Sequence, residues 1–234
     1  MSKENIQEAK KKRESQRNTL DKFLDWPVNF LIEHNVTPNL LSYIGLTCII
    51  IGAFFLSIKG IYYPIWIAWP APFFIFLGGT FDVFDGEVAR RTGQESPAGA
   101  FLDSNLDRIS DAVIIMGLIF GGFISYITGF LILFLTIMIS YIRSRAESEG
   151  VEMKGVGLME RAERILVVFG AIIIEIWAYF FIMNFTRDPL LIKISFINTT
   201  PLTPFFFGFI FLYIFLLVLT VGQRIQFAFN WLNE

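Results

Sequence analysis

Six long apolar stretches constrain this chain more than any other feature of its sequence. Each can supply the roughly 20 residues that a helix needs to cross a bilayer, and a bilayer core satisfies backbone polar groups only within helices or closed barrels. Charged residues make up only 17% of the 234-residue chain, against about 25% in soluble domains. We therefore predict an all-α integral membrane protein with six transmembrane helices, approximately over 40–58, 61–82, 108–124, 126–142, 163–183 and 203–222.

The chain ahead of the first stretch is polar and then amphipathic. Polar residues follow the basic run that ends at Arg13, so we do not interpret it as a signal peptide. Residues 23–34, which include Trp26 and Phe30, predict a short helix that lies in the membrane interface. We divide the chain into a tail with this helix, 1–34, and a six-helix membrane domain, 35–234.

The distribution of basic residues predicts the orientation in the membrane. An even number of spans places both termini on one side. With the N-terminus in the cytoplasm, every Lys and Arg except Lys59, Arg187 and Lys193 lies on the cytoplasmic side, as the positive-inside rule requires. The polar segments 86–108 and 143–164 then share that face. We predict a multi-pass protein of the cell membrane whose active site and termini face the cytoplasm.

Four carboxylates lie where the second stretch ends and the third begins. Asp82 and Asp85 are three residues apart, and Asp103 and Asp107 are four apart, so each pair shares one face of a helix. An acidic side chain within a span costs roughly 2.5–3.5 kcal/mol, and clustered carboxylates also repel one another. The chain has one Cys and one His. One or two divalent cations with oxygen ligands alone would therefore offset these charges most economically.

The spacing of these residues resembles the signature of a known family. That signature reads Asp82-x2-Asp85-Gly86-x2-Ala89-Arg90-x8-Gly99-x3-Asp103-x3-Asp107 in this sequence. It matches the CDP-alcohol phosphatidyltransferases without a gap or a substitution. The resemblance extends over residues 35–225 and includes the six-span layout.

The resemblance implies a reaction and a set of site residues. In this family an alcohol attacks the β-phosphorus of a CDP-linked lipid, and CMP is released. Two divalent cations, Mg²⁺ or Mn²⁺, are implied at Asp82, Asp85, Asp103 and Asp107, with Asp107 also the general base for the acceptor hydroxyl. The implied contacts to the CDP-lipid are Asn39, Ser42, Gly86, Arg90 and Ser96. The family also implies a homodimer in the lipid bilayer, and we expect no nucleic-acid partner.

A group of arginines on the cytoplasmic face predicts the class of acceptor. Arginines beside a metal diphosphate site suit an alcohol that carries its own phosphate. The pattern resembles the subgroup that uses inositol phosphate, in which the positions of Arg143, Arg164 and Arg224 gather round the acceptor phosphate, although Lys is commoner at the first. We therefore predict inositol phosphate as the acceptor, with CDP-archaeol or CDP-diacylglycerol as the donor.

Other interpretations stay open at this point. Within the same chemistry, glycerol phosphate or serine could replace inositol phosphate. A cation transporter also has acidic residues in its spans, but they follow a path through the bilayer, whereas these four crowd at one depth. A non-catalytic scaffold that retained the motif is the third alternative. Ether and ester lipid tails leave no distinguishing mark in the sequence.

Two further acidic residues fall within the predicted spans. Glu175 lies in the middle of the fifth span, and we expect it to bond a neighbour within the bundle or at a dimer seam. Asp111 lies one helical turn beyond Asp107, and we expect it to support Arg108 or a contact next to the metal site rather than to bind a cation itself.

Overall fold

Long helices account for most of the chain that the structure describes, residues 24–59, 62, 64–187 and 190–233 of a computed structural model. Within these residues there is no β-strand, and Ile192 and Leu202 form an isolated antiparallel bridge. The predicted all-α class is therefore confirmed. The helices are α1 (24–33), α2 (Pro38–Ser57), α3 (Ile65–Ala68), α4 (Pro70–Thr92), α5 (Pro97–Phe120), α6 (Tyr126–Ser148), α7 (Arg161–Phe185) and α8 (Pro204–Leu232).

Five stretches of helix are long and apolar enough to cross a membrane: Pro38–Ser57, Trp66–Thr92, Tyr126–Ser148, Arg161–Phe185 and Pro204–Leu232. The protein is thus a multi-pass membrane protein by the length and composition of its helices. The span expected over 108–124 falls mainly in the 24-residue α5, whose polar first half separates it from those five. Six spans and cytoplasmic termini therefore stay predictions.

The region before α2 contains a short helix. Residues 24–33 form α1, while the tail over 1–23 lies outside the described residues. Val28 of α1 is buried against Leu41 of α2 and Val88 of α4, and Trp26 on the opposite side is 79% exposed. This amphipathic arrangement agrees with the predicted interfacial helix, whose position in a membrane stays a prediction, as does the division at residue 34.

Hydroxyl side chains define where four of the helices begin. Thr37, Ser96, Ser125 and Thr203 each accept a hydrogen bond from the backbone N–H three residues further along, which is the usual N-cap arrangement. In all of these except Ser125 a proline follows at once, where its missing N–H costs no hydrogen bond. The start of α5, which carries two of the four carboxylates, is therefore encoded locally.

Small residues allow α2 and α4 to pack closely. A Cβ placed on Gly78 of α4 would lie 2.6 Å from Cγ1 of Ile49 and 2.9 Å from the carbonyl oxygen of Gly45, both on α2. No side chain fits there without moving one helix. The close contact brings the N-terminal part of α2, with Ser42, against the acidic part of α4.

The other end of the bundle is held by a buried carboxylate. Glu175 of α7 is fully buried and accepts a hydrogen bond of 3.2 Å from the backbone N–H of Thr203, as well as one from its hydroxyl. A carboxylate at this position also faces the positive end of the α8 dipole. Glu175 thus bonds a neighbour inside the bundle, which was one of the two arrangements expected for it.

Candidate active site

The turn between α4 and α5 brings the two carboxylate pairs together. Gly93, with a φ of 66°, ends α4 in the left-handed region that glycine adopts without strain, and Ser96 caps the returning helix. Carboxylate oxygens of Asp82, Asp85 and Asp103 lie within 4.8 Å of one another. Three converging oxygen ligands suit a hard divalent cation such as Mg²⁺ or Mn²⁺, so this group could hold a metal ion.

Asp85 is the most buried of these carboxylates. Only 6% of the residue is exposed, and its Oδ2 accepts a hydrogen bond of 2.5 Å from Oγ of Ser42. Among the described residues, no Lys or Arg forms an ion pair with Asp85 or Asp103. A buried carboxylate without a basic partner is costly, and a bound cation would offset that cost.

Asp107 lies beside this group rather than within it. Its Oδ1 is 2.8 Å from Nη1 of Arg161, and its Oδ2 is 3.6 Å from Nη1 of Arg108. The same Nη1 of Arg161 lies 2.5 Å from Oδ2 of Asp82. Asp82, Asp85 and Asp103 converge as expected, and the guanidinium of Arg161 from α7 bridges Asp107 to Asp82. The sequence places Arg161 among the arginines of this face, in the segment before the fifth predicted span, but Arg161 was not one of the three predicted for the acceptor phosphate.

A cavity of about 790 Å³ opens on one side of the carboxylates. All five residues expected to contact the CDP-lipid line it: Asn39, Ser42, Gly86, Arg90 and Ser96. A Cβ on Gly86 would meet no heavy atom within 4 Å, so a ligand can approach the backbone there. Asp82, Asp85 and Asp103 form the inner wall of this cavity.

Two of these lining side chains already have partners in the protein. Arg90 pairs with Glu87 and is about half exposed. Oγ of Ser96 accepts from the backbone N–H of Gly99 at 3.0 Å, which leaves its hydroxyl proton available. Glu87 also pairs with Arg91 at 2.8 Å, and Arg91 reaches Asp25 of α1 at 2.7 Å. This chain of ion pairs attaches α1 to the rim of the cavity.

A second cavity, of about 650 Å³, lies on the other side of α5. The three arginines expected at the acceptor phosphate line it, together with Arg161. Ser140, Tyr141 and Ser144 of α6 also line it. Asp103 lines both cavities, and Asp107 lines only the second. The carboxylates therefore lie where the two cavities meet.

The three arginines expected at the acceptor phosphate differ in exposure and in the partners that already hold them. Arg143 is 43% exposed and pairs with Glu147 at 2.9 Å. Arg164 is 4% exposed and donates from Nη2 to Oδ2 of Asp111 at 2.7 Å. One of the two arrangements expected for Asp111, support of Arg108, is thus wrong. Asp111 pairs with Arg164 of α7, while Arg108 donates to the carbonyl of Ser104.

Arg224 is largely committed to the backbone. It is 2% exposed, and it donates from Nε to the carbonyl of Val156 at 2.9 Å and from Nη1 to the carbonyl of Ile139 at 2.7 Å. On the same face of α8, Thr220 accepts from the N–H of Met159 at 3.2 Å. These bonds fix the loop that leads into α7, so α8 positions Arg161 and Arg164 at the second cavity.

Comparison with known proteins agrees with this geometry. The family model described as CDP-alcohol phosphatidyltransferase matches residues 35–233. This chain belongs to that family. The signature that carries the four carboxylates lies within the matched residues.

Two relatives from archaea carry a more specific name. A protein of Methanothermobacter thermautotrophicus, named archaetidylinositol phosphate synthase, is 52% identical over 90 residues, which are 38% of this chain and 46% of the relative. A protein of Pyrococcus horikoshii with the same name is 36% identical over 134 residues, 57% of this chain and 68% of the relative. The match thus spans less than half the length of the Methanothermobacter relative.

Solved structures share the fold. The phosphatidylinositol phosphate synthase of Mycobacterium tuberculosis with CDP-DAG bound has a TM-score of 0.65 and 24% identity, over 88% of this chain and 94% of that one. The same enzyme with manganese and citrate gives a TM-score of 0.63 and 25% identity, over 86% and 87% of the two chains. This phosphatidyltransferase therefore has the architecture of an enzyme that was crystallised with a CDP-linked lipid and, separately, with manganese.

Proposed function

We propose that this enzyme transfers a phosphatidyl-type group from a CDP-linked lipid, CDP-archaeol or CDP-diacylglycerol, to a hydroxyl of inositol phosphate, with release of CMP. The observation that carries the proposal is the meeting of two cavities at Asp103. One is lined by the residues expected to contact the nucleotide, and the other is lined by arginines. A donor and a phosphorylated acceptor can thus reach the same carboxylates from opposite sides.

The first cavity suits the cytidine diphosphate part of the donor. Arg90 can bind phosphate oxygens with its forked guanidinium, and the open backbone at Gly86 allows close approach of the ligand. We assign Asn39, Ser42 and Ser96 as further contacts. The carboxylates of Asp82, Asp85, Asp103 and Asp107 would hold two divalent cations, Mg²⁺ or Mn²⁺, which neutralise the charge of the diphosphate when they are bound.

The second cavity suits an acceptor that is both anionic and rich in hydroxyl groups. Arg143, Arg164 and Arg224 supply positive charge for its phosphate, and Arg224 does so with the part of its guanidinium that the backbone carbonyls do not use. Serine and tyrosine hydroxyls on α6 can bond the polyol. The names of the archaeal relatives, archaetidylinositol phosphate synthase, support inositol phosphate over the alternatives.

Asp107 is the residue we assign as general base. It lines the acceptor cavity, and it lies one helical turn from Asp103, which also lines the cavity proposed for the donor. In the reaction the acceptor oxygen bonds to the β-phosphorus of the donor, its proton passes to Asp107, and the bond from that phosphorus to the CMP oxygen breaks. Phosphoryl transfer of this kind depends mainly on positioning and charge neutralisation.

The proposal includes a location. We place the active site at the cytoplasmic face of the cell membrane, with both termini on that side, because the basic residues concentrate there. Six spans then require α5 to cross the bilayer alongside the five apolar stretches. We also propose a homodimer, which cross-linking of the purified protein in nanodiscs would test.

The function is tested by measuring CMP release from the full-length protein. CDP-archaeol and CDP-diacylglycerol are each offered with inositol phosphate, glycerol phosphate, serine or unphosphorylated inositol. We expect rapid release only with inositol phosphate, and loss of release in the presence of EDTA. Release with serine or free inositol alone would contradict a phosphorylated acceptor.

The matched variant for this assay is Asp107→Asn. We expect it to abolish CMP release while circular dichroism and retention of the CDP-lipid stay as in the wild type, because the amide keeps the shape of the side chain but cannot accept the proton. Undiminished release would show that Asp107 is not the base. No release with any acceptor, by the wild type, would favour the scaffold or the transporter, and cation flux into proteoliposomes would separate those two.

A further inference from the structure

The guanidinium of Arg161 bridges two carboxylates of the metal site. Its Nη1 lies 2.5 Å from Oδ2 of Asp82 and 2.8 Å from Oδ1 of Asp107, so one residue at the start of α7 connects α4 with α5. Its side chain is four-fifths buried. The positive charge of Arg161 therefore neutralises part of the carboxylate charge, as a bound metal cation would.

Arg161 and a divalent cation would compete for the same oxygens. Asp82 belongs both to the group that could hold a cation and to the Arg161 pair. Like charges a few ångströms apart at a protein surface repel each other strongly. A cation between Asp82, Asp85 and Asp103 therefore repels the guanidinium, and a second cation at Asp107 removes its other partner.

Arg161 differs in this respect from the two neighbouring arginines of the acceptor cavity. Arg164 is fixed by Asp111, and Arg224 is fixed by two backbone carbonyls. The ion-pair partners of Arg161, among the described residues, are Asp82 and Asp107, both assigned to the cations. Its Nε has no hydrogen-bond partner in the described part of the chain, and the same is true of Nε of Arg164, so it is the pairing of the terminal nitrogens that distinguishes the two. The side chain also lines the acceptor cavity, so it has a place to move to without a change of backbone.

We propose that Arg161 is an exchangeable counterion that couples cation binding to binding of the acceptor phosphate. When cations occupy the carboxylates, the guanidinium leaves Asp82 and Asp107 and becomes a phosphate ligand in the 650 Å³ cavity. When the phosphate is present, it holds the guanidinium away from the carboxylates, and the cations bind more tightly. The identity of the phosphate ligand rests on the proposed function, whereas the competition between Arg161 and the cation does not.

The competition is tested by Mn²⁺ binding to the full-length protein, measured by electron paramagnetic resonance without substrates. Arg161→Gln should bind Mn²⁺ more tightly than the wild type, by on the order of tenfold. The control is Arg108→Gln, which also removes a positive charge near Asp107 but does not contact Asp82; it should give a smaller increase. Unchanged or weaker binding in Arg161→Gln would overturn the proposal.

The coupling is tested by repeating the titration with saturating inositol phosphate at matched free Mn²⁺, with inositol as the uncharged control. In the wild type the phosphate should tighten Mn²⁺ binding by roughly 5- to 150-fold, which is the usual range for coupled sites. In Arg161→Gln most of this tightening should be lost. An equal effect in both proteins would show that Arg161 does not couple the two ligands.

Three further results can be told apart. If Arg161→Gln does not fold, Arg161→Lys replaces it, because a single ammonium bridges two carboxylates less well than a guanidinium, and it should shift Mn²⁺ affinity in the same direction. If the wild type releases no CMP with inositol phosphate but Arg161→Gln still tightens Mn²⁺ binding, the proposed function fails and the exchange stands. If the wild type turns over inositol phosphate but Arg161→Gln leaves Mn²⁺ affinity unchanged, the exchange fails and the proposed function stands.

Discussion

Arg164 of α7 donates a hydrogen bond of 2.7 Å to Asp111 of α5, and both side chains are more than nine-tenths buried. The pair connects the helix that carries Asp103 and Asp107 with the helix that carries Arg161. It therefore holds the acceptor cavity in shape as well as placing a charge in it. Breaking a buried pair leaves an uncompensated charge, typically at a cost of about 3–5 kcal/mol.

Asp111→Ala should accordingly destabilise the protein strongly. We expect a clear drop in the thermal unfolding midpoint in detergent, followed by tryptophan fluorescence. The control is Glu149→Ala, whose partner Arg145 is 61% exposed, because exposed pairs contribute only about 0–1 kcal/mol. Equal midpoints for the two variants would show that the Arg164–Asp111 pair does not hold the helices together.

Replacement of Arg164 should raise the KM of the acceptor more than that of the CDP-lipid. Arg164→Ala is made in an Asp111→Asn background, so that no carboxylate is left unpaired. We expect it to raise the acceptor KM by roughly 10- to 100-fold, which corresponds to the loss of one charge-assisted hydrogen bond. The KM for the CDP-lipid should change little. Equal increases in both would place Arg164 at the nucleotide or in the scaffold. Arg164→Lys should be intermediate, because it keeps the charge.

Ser42 is expected to tune the affinity for cations. Its hydroxyl donates to Asp85 at 2.5 Å and so orients a carboxylate that has little other support. Loss of such a partner commonly costs about 10- to 100-fold in metal affinity or activity, and we expect Ser42→Ala to weaken Mn²⁺ binding accordingly. Thr47→Ala is the control, because that hydroxyl, also on α2, has the carbonyl of Tyr43 as its one partner among the described residues. Similar Mn²⁺ affinities in both variants would contradict the role of Ser42.

The contact between α2 and α4 can be tested with two adjacent glycines. At Gly78 an added Cβ would lie 2.6 Å from Ile49, whereas at Gly79 the nearest atom, on Ile165, is 3.8 Å away. Gly78→Ala should destabilise by about 1–3 kcal/mol, as overpacking does, and should weaken Mn²⁺ binding by moving Ser42 from Asp85. Gly79→Ala should do neither. The unfolding midpoint and the Mn²⁺ titration measure both effects, and a harmless Gly78→Ala would show that the helices are not in close contact.

Much of this protein was determined by its sequence alone. Hydropathy predicted the helical membrane class, because a span needs a local run of apolar residues and nothing more distant. The spacing of Asp82, Asp85, Asp103 and Asp107 predicted their convergence, because three- and four-residue intervals share a helix face and a short capped turn reverses the chain. The residues predicted for the CDP-lipid line one cavity for the same reason, since most of them lie within that hairpin.

Only the tertiary structure decided which charges pair. Arg161 reaches Asp82 across 79 residues of sequence, and Arg164 reaches Asp111 across 53. Local spacing favoured Arg108 as the partner of Asp111, but the rotation of α5 and its packing near α7 determine which arginine lies within reach. The sequence predicted Arg143, Arg164 and Arg224 for the acceptor phosphate without showing which groups of the protein already hold them. An arginine of this face can be exposed, bonded to backbone carbonyls or placed between two carboxylates. Which of these occurs depends on helices that are far apart in the chain, because an ion pair forms only between groups that the fold brings within a few ångströms.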